Sequence, residues 1–159
     1  IDTIEKYVKD SKSILEIGSY HGYLSNKLRA HCDDITCCEL DKSCHPNLNS
    51  LGFRTIQYFT DLTETFDSLI LIDVLEHFNE LETYVKKMSE LTNKYIIIQV
   101  PVKRTIHYNN PFDGHFHYYS IESLSKLFER FGMKLEFSKL MPRKQTARKE
   151  ELICVFKKN

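Results

Sequence analysis

The stretch "SILEIGSYHGYLSNKL", residues 13–28, decides the fold that the sequence predicts. Its first part is a short β-branched run that reaches Glu16 and predicts a strand, and the leucines one turn apart in its second part predict a helix. Gly18 and Gly22 lie at the corner between the two, where a residue without a side chain lets a ligand approach the backbone. The dinucleotide-binding pattern G-x-G-x-x-G is not present, because Tyr20 occupies the place of the middle glycine.

The rest of the chain repeats this alternation of strand and helix. Six further runs predict strands: "DITCCEL", "FRTIQYF", "FDSLILID", "KYIIIQVP", "MKLEFSKL" and "ELICVFKK". Helices are predicted before the first strand, between the first and second, between the second and third, and between the fourth and fifth, and Ser120 and Gly132 bound a further helix. No helix separates the last two strands, so they should form an antiparallel hairpin. We therefore expect one domain, residues 1–159, with an α/β fold: a doubly wound, mostly parallel seven-stranded sheet.

Composition argues against several classes of function. The chain carries 22 basic and 22 acidic side chains, so no overall charge attracts nucleic acid, and nucleic acid is not the expected partner. No apolar run approaches the roughly 20 residues that a membrane span needs. The five cysteines contain no C-x-x-C pair and lie mostly in apolar runs, which favours a reducing, cytoplasmic location. Because the chain starts at Ile1 and not at methionine, we expect that residues precede it in the full protein.

Acidic residues stand where the predicted strands end. Glu39 ends the second strand, Asp61 follows the third and Asp73 ends the fourth. In open α/β sheets, ligands bind at the carboxyl ends of the strands. An acid about 20 residues after the glycine turn is suited to bind both hydroxyls of a ribose, and Glu39 follows Gly18 by 21 residues. Without the middle glycine a pyrophosphate fits poorly, so the pattern favours a nucleoside that carries no phosphates.

Five segments together carry a resemblance to a known family: "ILEIGSYHG", "CCELD", "FDSLILIDVLEHF", "KYIIIQVPV" and "GHFHYYSIESLSKLFERFGM". The chain resembles class I S-adenosylmethionine-dependent methyltransferases over nearly its whole length. Motif by motif it is most similar to the group that contains the ubiquinone-biosynthesis O-methyltransferases. The resemblance implies a Rossmann-like sheet with a C-terminal antiparallel hairpin, S-adenosylmethionine as cofactor and S-adenosylhomocysteine as product.

The resemblance also implies a role for each residue of these motifs. Glu39 would bind the cofactor's ribose and Leu40 would flank its adenine. Asp61 is the candidate for binding the adenine amine, and Asp73 would lie near the sulfonium. The residues that would line the methionine part are Glu16, Gly18, Tyr20 and Gly22.

Two histidines are candidates for catalysis, and three interpretations of them remain open. His77 follows the fourth strand in "DVLEHF", and His115 belongs to the loop after the fifth. His77 could be a packed structural residue, or either imidazole could be the general base that takes a hydroxyl proton. A third interpretation is a divalent ion bound by Glu76, His77 and His115, similar to the metal-dependent methyltransferases of small RNA 2′-hydroxyls. The shorter Asp73 replaces the first acid of that pattern, so we assign the histidines to catalysis and expect no metal.

The acceptor is expected to meet two loops at the same edge of the sheet. One is "VKRTIHYNNPFDGHFHYY" and the other is "KLMPRKQTARKEE", whose basic side chains would suit an anionic acceptor. The leading hypothesis is methyl transfer to a small molecule, with oxygen favoured over nitrogen. The alternatives are a metal-dependent RNA 2′-O-methyltransferase and a non-catalytic module that binds cofactor or a partner.

Overall fold

The computed structural model describes residues 1–102, 114–142 and 150–159. These residues form five α-helices and seven strands. The helices are α1 (Asp2–Val8), α2 (Tyr23–Leu28), α3 (His45–Ser50), α4 (Leu81–Leu91) and α5 (Ile121–Glu129). The strands are β1 (Ser13–Ile17), β2 (Asp34–Cys38), β3 (Arg54–Ile56), β4 (Phe66–Ile72), β5 (Thr92–Val102), β6 (Met133–Pro142) and β7 (Glu150–Lys158).

All seven strands belong to one sheet, in the order β3-β2-β1-β4-β5-β7-β6. The first five strands pair in parallel, and β7 pairs antiparallel with both β5 and β6. The predicted α/β, doubly wound, mostly parallel seven-stranded sheet with a C-terminal antiparallel hairpin is confirmed. The strand order reverses between β1 and β4, which is where ligands bind in sheets of this kind.

Both faces of the sheet are covered by helices. Along β4, Leu69 and Leu71 pack on the side of α4 and α5, while Ile70 between them packs on the side of α1, α2 and α3. Successive strand residues point to opposite faces, so a strand covered on both faces has to be apolar at every position. This explains the continuous apolar runs that identified β4 and β5 in the sequence.

Two local features of the described elements matter for the site. The third strand is confined to Arg54–Ile56, because the chain turns into a 3₁₀ helix at Phe59–Asp61. After β4, Asp73 adopts a left-handed conformation (φ 54°), and a 3₁₀ turn follows at Leu75–His77. Asp73 therefore precedes the turn and does not share a helical face with Glu76 and His77.

Some sequence-based expectations concern segments that the structure does not describe. Most of the first acceptor loop, residues 103–113, lies outside the described residues, and with it Arg104, His107, Tyr108 and Phe112. The same holds for residues 143–149 of the basic loop. Within the described parts of the chain, no helix is long and apolar enough to span a membrane.

Candidate functional site

The turn after β1 is built from backbone conformations that few residues adopt. Gly18 and Gly22 both have φ of 79°, and Tyr20 between them has φ of 48°. The amides of Gly18 and Ser19 donate to the carbonyl oxygen of Cys38, at 2.8 and 3.2 Å. The turn is therefore fixed to the end of the neighbouring strand β2.

Gly18 is required here for a steric reason as well as a conformational one. A Cβ atom added to Gly18 would collide with Cγ2 of Val74, the residue that follows Asp73 after β4. At Gly22 an added Cβ would lie 2.8 Å from Cδ2 of Leu48 in α3. The two glycines thus let the β1 turn approach the end of β4 on one side and α3 on the other.

The Glu39 carboxylate joins the ends of β1 and β2. Its Oε2 accepts a hydrogen bond from the Tyr20 amide at 2.7 Å, and its Oε1 accepts one from the Asp41 amide at 2.9 Å. The side chain is half-buried. Two backbone donors hold the carboxylate in place, and each of its oxygens keeps a second lone pair that can accept from a ligand.

A cleft of about 430 Å³, which we call the edge cleft, opens at the carboxyl ends of β1, β2 and β4. Five predicted site residues line it: Gly18, Glu39, Leu40, Asp73 and His77. Among the described residues, the lining comprises residues 17–18, 38–40, 57–60, 73–74, 77–79 and 84.

Aromatic side chains form one wall of the edge cleft. Phe59, Phe78 and Tyr84 pack against one another, with ring centroids 4.7 to 6.0 Å apart. Leu40 and Tyr58 also line the cleft, and both are largely exposed. An apolar wall that faces a fixed carboxylate is suited to a ligand that combines a flat ring with a sugar.

Five predicted site residues do not line the edge cleft: Glu16, Tyr20, Gly22, Asp61 and His115. Tyr20 contributes its amide to Glu39, whereas its side chain is exposed. Asp61 is exposed at the end of its 3₁₀ helix. Their predicted contacts with a ligand stay predictions.

Glu16 lies inside the protein, below the glycine turn. Its side chain is only 4% exposed and accepts a hydrogen bond from the Ser25 hydroxyl, which in turn accepts one from the Cys37 thiol at 3.2 Å. Burial raises the pKa of Glu16 from its usual 4.5 to about 7, and the hydrogen bond from Ser25 opposes this rise. The Glu16 carboxyl, which lies directly below the glycine turn, therefore titrates near neutral pH.

The histidine cluster, which we define as Glu76, His77 and His115, adjoins the edge cleft through His77. The Glu76 side chain is completely buried, and its Oε1 lies 3.9 Å from Nε2 of His115, whose side chain is 2% exposed. The His77 and His115 rings meet edge to face, with centroids 4.8 Å apart. The 3₁₀ turn thus directs Glu76 inward and leaves His77 at the surface of the cleft.

Hydrogen bonds fix the loop segment around His115 to this turn. Nδ1 of His77 lies 2.8 Å from the Gly114 carbonyl oxygen, and the Phe116 amide donates to the Glu76 carbonyl oxygen at 2.8 Å. The Tyr119 hydroxyl donates to the Leu75 carbonyl oxygen at 3.0 Å. Because a carbonyl only accepts, Nδ1 of His77 is the donor in this contact, which makes Nε2 the acceptor nitrogen of a neutral ring.

The aromatic wall and Asn79 were not among the site residues predicted from the sequence. Phe78 and Asn79 directly follow the recognised "LEH", and Tyr58 and Phe59 follow β3. The signal that could have identified them is that they follow parallel strands, whose carboxyl ends bind ligands. Tyr84, by contrast, appeared in the sequence only as an apolar position of α4.

The described residues fit an adenosyl ligand without phosphates. The left-handed Gly18 keeps the turn free of a Cβ atom beside the edge cleft, Glu39 presents a fixed carboxylate there, and the aromatic wall presents an apolar surface. The chain places Tyr20 where a pyrophosphate-binding turn has its middle glycine, in agreement with such a ligand.

Comparison with known proteins identifies the family of the chain. The sequence profile of a family described as "Methyltransferase domain" matches residues 1–136. No curated protein sequence matches the chain.

Many solved structures share the fold. Magnesium protoporphyrin IX methyltransferase from Synechocystis PCC 6803, with bound S-adenosylmethionine, is 13% identical with a TM-score of 0.78, covering 99% of this chain and 77% of that one. The N-methyltransferase NodS from Bradyrhizobium japonicum WM9, with S-adenosylhomocysteine, is 14% identical with a TM-score of 0.79, covering 99% and 84%. The 1,6-didemethyltoxoflavin-N1-methyltransferase from Burkholderia thailandensis is 15% identical with a TM-score of 0.79, covering 99% and 75%.

Since the family profile covers most of the chain and the fold and site agree with it, the chain belongs to the methyltransferase domain family and is a class I S-adenosylmethionine-dependent methyltransferase.

Proposed function

We propose that this enzyme transfers the methyl group of S-adenosylmethionine to an oxygen atom of a small molecule. The observation that carries the proposal is the orientation of His77. Its Nδ1 lies 2.8 Å from the Gly114 carbonyl oxygen, so in the neutral ring Nε2 is the acceptor nitrogen of a residue that lines the edge cleft. A neutral imidazole in this state is the group that a hydroxyl acceptor requires.

The cofactor binds, in this proposal, across the carboxyl ends of β1, β2 and β4. Glu39 accepts hydrogen bonds from the ribose hydroxyls, and Leu40 flanks the adenine. Asp61 lies near the adenine amine, and Asp73 lies near the sulfonium. The glycine turn approaches the methionine part, with Tyr20 acting through its amide and Glu16 from below the turn. The positions of Gly18, Glu39, Leu40 and Asp73 in the lining of one cleft support this assignment.

The chemistry supplied by the cofactor is a methyl group activated by a positively charged sulfur. The acceptor hydroxyl gives its proton to Nε2 of His77 while its oxygen forms a bond to the methyl carbon. The carbon–sulfur bond breaks with its electron pair on sulfur, so charge is conserved and S-adenosylhomocysteine remains. The chain's main contribution is to align the two reactants and to exclude water.

His115 acts behind His77 in this scheme. Its ring contacts the His77 ring edge to face, and its Nε2 lies 3.9 Å from the buried Glu76 carboxylate. We infer that Glu76 and His115 keep the His77 ring in position.

We further propose that the acceptor is a small molecule, anionic in character. Two structural relatives are described as methyltransferases of magnesium protoporphyrin IX and of 1,6-didemethyltoxoflavin, both small molecules. The basic side chains between β6 and β7 support a negatively charged acceptor. Equal numbers of acidic and basic side chains argue against nucleic acid as the acceptor.

The grouping with the ubiquinone-biosynthesis O-methyltransferases is also a proposal, and it rests on the sequence motifs alone.

Location and domain organisation are part of the proposal as well. All five cysteines are buried and free, which suits a reducing cytoplasm. One sheet joins β1 to β7, which supports a single domain over residues 1–159.

The choice between oxygen and nitrogen can be tested with a cofactor that carries a ¹³C methyl group. The protein is incubated with this cofactor and, separately, with the small-molecule and the RNA fraction of its source cells. We expect labelled methyl ethers or esters, identified by carbon NMR and mass spectrometry, in the small-molecule fraction, and none with His77→Gln. Label on nitrogen, or label only in the RNA fraction, would contradict the proposal.

A further inference from the structure

The main chain of Glu39 is fixed in place in the same way as its carboxylate. Its amide donates to the Ile56 carbonyl oxygen at 2.9 Å, beside the pairing of β2 with β3. Its carbonyl oxygen lies 2.7 Å from Nε2 of His45. Because a carbonyl only accepts, Nε2 of His45 is the donor in this contact. Together with the two bonds to the carboxylate, each hydrogen-bonding atom of Glu39 therefore has a partner within the protein.

His45 is the one of these four partners that contributes its side chain. Tyr20, Asp41 and Ile56 all use backbone atoms, so replacement of their side chains leaves the donor or acceptor atom in place. The bond from His45, by contrast, disappears when the imidazole is replaced. This bond is therefore the part of the arrangement around Glu39 that a single substitution can remove.

The bond from His45 acts on the peptide unit that joins Glu39 to Leu40. A peptide unit is planar, so a donor that holds its carbonyl oxygen limits rotation on both sides of the unit. Both residues line the edge cleft. The next carbonyl oxygen, that of Leu40, accepts from Nε2 of Gln57 at 3.3 Å in an exposed position. The bond from His45 is shorter and half-buried, so it is the stronger of the two restraints.

His45 donates from a helix that is itself fixed beside the site. It is the first residue of α3. Leu48 of the same helix is completely buried and lies against Gly22, where an added Cβ atom would come within 2.8 Å of it. Asn47 donates from Nδ2 to the His21 carbonyl oxygen at 2.8 Å, so α3 also holds the glycine turn. The imidazole of His45 therefore has a defined position relative to both β1 and β2.

We propose that His45 is a positioning residue for the cofactor, because its hydrogen bond to the Glu39 carbonyl oxygen holds the Glu39 carboxylate in the direction that the ribose requires. The inference rests on the proposed function, which assigns ribose binding to Glu39. His45 is not among the residues that line the edge cleft, so it acts through Glu39 and does not itself contact the cofactor. A carboxylate held in this way loses less conformational freedom when the ligand binds.

Calorimetric titration of the whole chain with S-adenosylhomocysteine measures this role. We expect His45→Leu, which removes the donor, to weaken binding by about three- to tenfold, the usual contribution of one hydrogen bond. His45→Gln has a side-chain amide that can donate from a similar position, so it should keep the affinity within about twofold of the wild type. His45→Asn is a second loss variant, polar but with a shorter side chain, and thermal melting verifies the folding of each.

A double-mutant cycle with Glu39→Gln separates positioning from a general effect on α3. If His45 acts through the Glu39 carboxylate, His45→Leu should weaken binding by less than about twofold in the Glu39→Gln background. Equal losses in the two backgrounds would overturn the proposal, because they would show that His45 acts independently of Glu39. Unchanged affinity in both loss variants, or no rescue by His45→Gln, would overturn it as well.

Two replacements serve as matched controls. Ser50 lies in the same helix, and its hydroxyl donates to the Asn47 carbonyl oxygen at 2.7 Å without reaching the site, so Ser50→Ala tests a change confined to α3. His31 is a surface histidine whose Nε2 lies 3.9 Å from Oε1 of Glu5, with both side chains about one-third exposed. His31→Leu therefore tests the loss of an imidazole elsewhere. Both variants should bind S-adenosylhomocysteine with the affinity of the wild type.

The same titrations separate this inference from the proposed function. If Glu39→Gln weakens binding but the His45 loss variants do not, the positioning role is wrong and the ribose assignment of Glu39 stands. If Glu39→Gln binds as tightly as the wild type, the ribose assignment is wrong, and the positioning role is overturned with it.

Discussion

The amide of Tyr20 donates to Oε2 of Glu39 at 2.7 Å, so the turn after β1 and the acid at the end of β2 are held together by one hydrogen bond. This bond fixes the orientation of the Glu39 carboxylate within the protein itself. Preorganisation of this kind reduces the entropy lost on binding. The hydrogen bond also explains why a tyrosine is acceptable at the position of the middle glycine, because the bond uses only the backbone amide of Tyr20.

Replacement of Glu39 by Gln should weaken the binding of S-adenosylhomocysteine by about 10- to 100-fold. The amide can accept with only one of its two terminal atoms, and charged hydrogen bonds contribute roughly 1.5–3 kcal/mol. Titration calorimetry measures the affinity. The control is Glu64→Gln, an exposed acid whose partner is Arg54. Unchanged affinity in Glu39→Gln would remove the proposed role in ribose binding.

Gly18→Ala should destabilise the protein by roughly 2–5 kcal/mol, through left-handed strain and through overlap with Val74. Gly132→Ala isolates the first cause, because Gly132 has a similar φ of 75° and an added Cβ there meets nothing within 4 Å. We expect a loss of about 1–2 kcal/mol for that variant. Denaturant unfolding measures both.

A further replacement, Val74→Ala, introduced together with Gly18→Ala, tests directly whether overlap with Val74 causes the loss of stability. If overlap with Val74 is responsible, the double variant should be less destabilised than the sum of the two single variants predicts. Additive losses would show that the left-handed conformation alone accounts for the effect at Gly18.

Glu16 should make stability depend on pH. Its carboxyl has a pKa of about 7 in the folded protein against a usual 4.5, so the folded state binds its proton more tightly. The resulting contribution to stability is fully present below about pH 4.5 and is lost as the pH rises through 7. The loss approaches roughly 3 kcal/mol.

Glu16→Gln removes this titration and should flatten the dependence of the unfolding free energy between pH 5 and pH 8. It should therefore be more stable than the wild type at pH 8. Replacement of the exposed Glu129 by Gln is the control and should leave the slope unchanged. An identical slope in wild type and Glu16→Gln would mean that Glu16 is ionised in the folded protein throughout this range.

His77→Gln should lower kcat by about 10²- to 10⁴-fold, the usual contribution of a general base, and change the affinity for S-adenosylhomocysteine by less than about twofold. Single-turnover kinetics and calorimetry measure the two quantities. His31→Gln serves as the control. A parallel loss of cofactor affinity would instead indicate that His77 shapes the edge cleft.

The sequence predicted the architecture well because its signals were local or strictly periodic. Buried parallel strands are apolar at every position, and the absence of a helix between β6 and β7 indicated their hairpin. The length of β3 was overestimated, since "QYF" continues the apolar pattern although the chain there turns into a 3₁₀ helix. The apolar pattern of a sequence does not indicate the residue at which strand pairing stops.

The site was harder to predict because it depends on contacts between distant segments. Glu16 and Glu39 both lie at the ends of predicted strands, yet one is buried beside Ser25 and the other faces the edge cleft. That difference follows from the direction of each side chain relative to the helices. The contact between Glu76 and His115 joins residues from two loops, and sequence spacing carries no information about their distance.

The position of β7 between β5 and β6 has a consequence for how the protein is made. Among the described residues, β6 joins the sheet only through β7, although β6 precedes β7 in the chain. On a translating ribosome, β6 must therefore wait without a strand partner, and the edge of β5 stays open to other chains. A nascent chain whose residues 150–159 have not yet left the ribosome should bind chaperones and be cleaved readily by protease, and the arrival of β7 should complete the sheet in a single step.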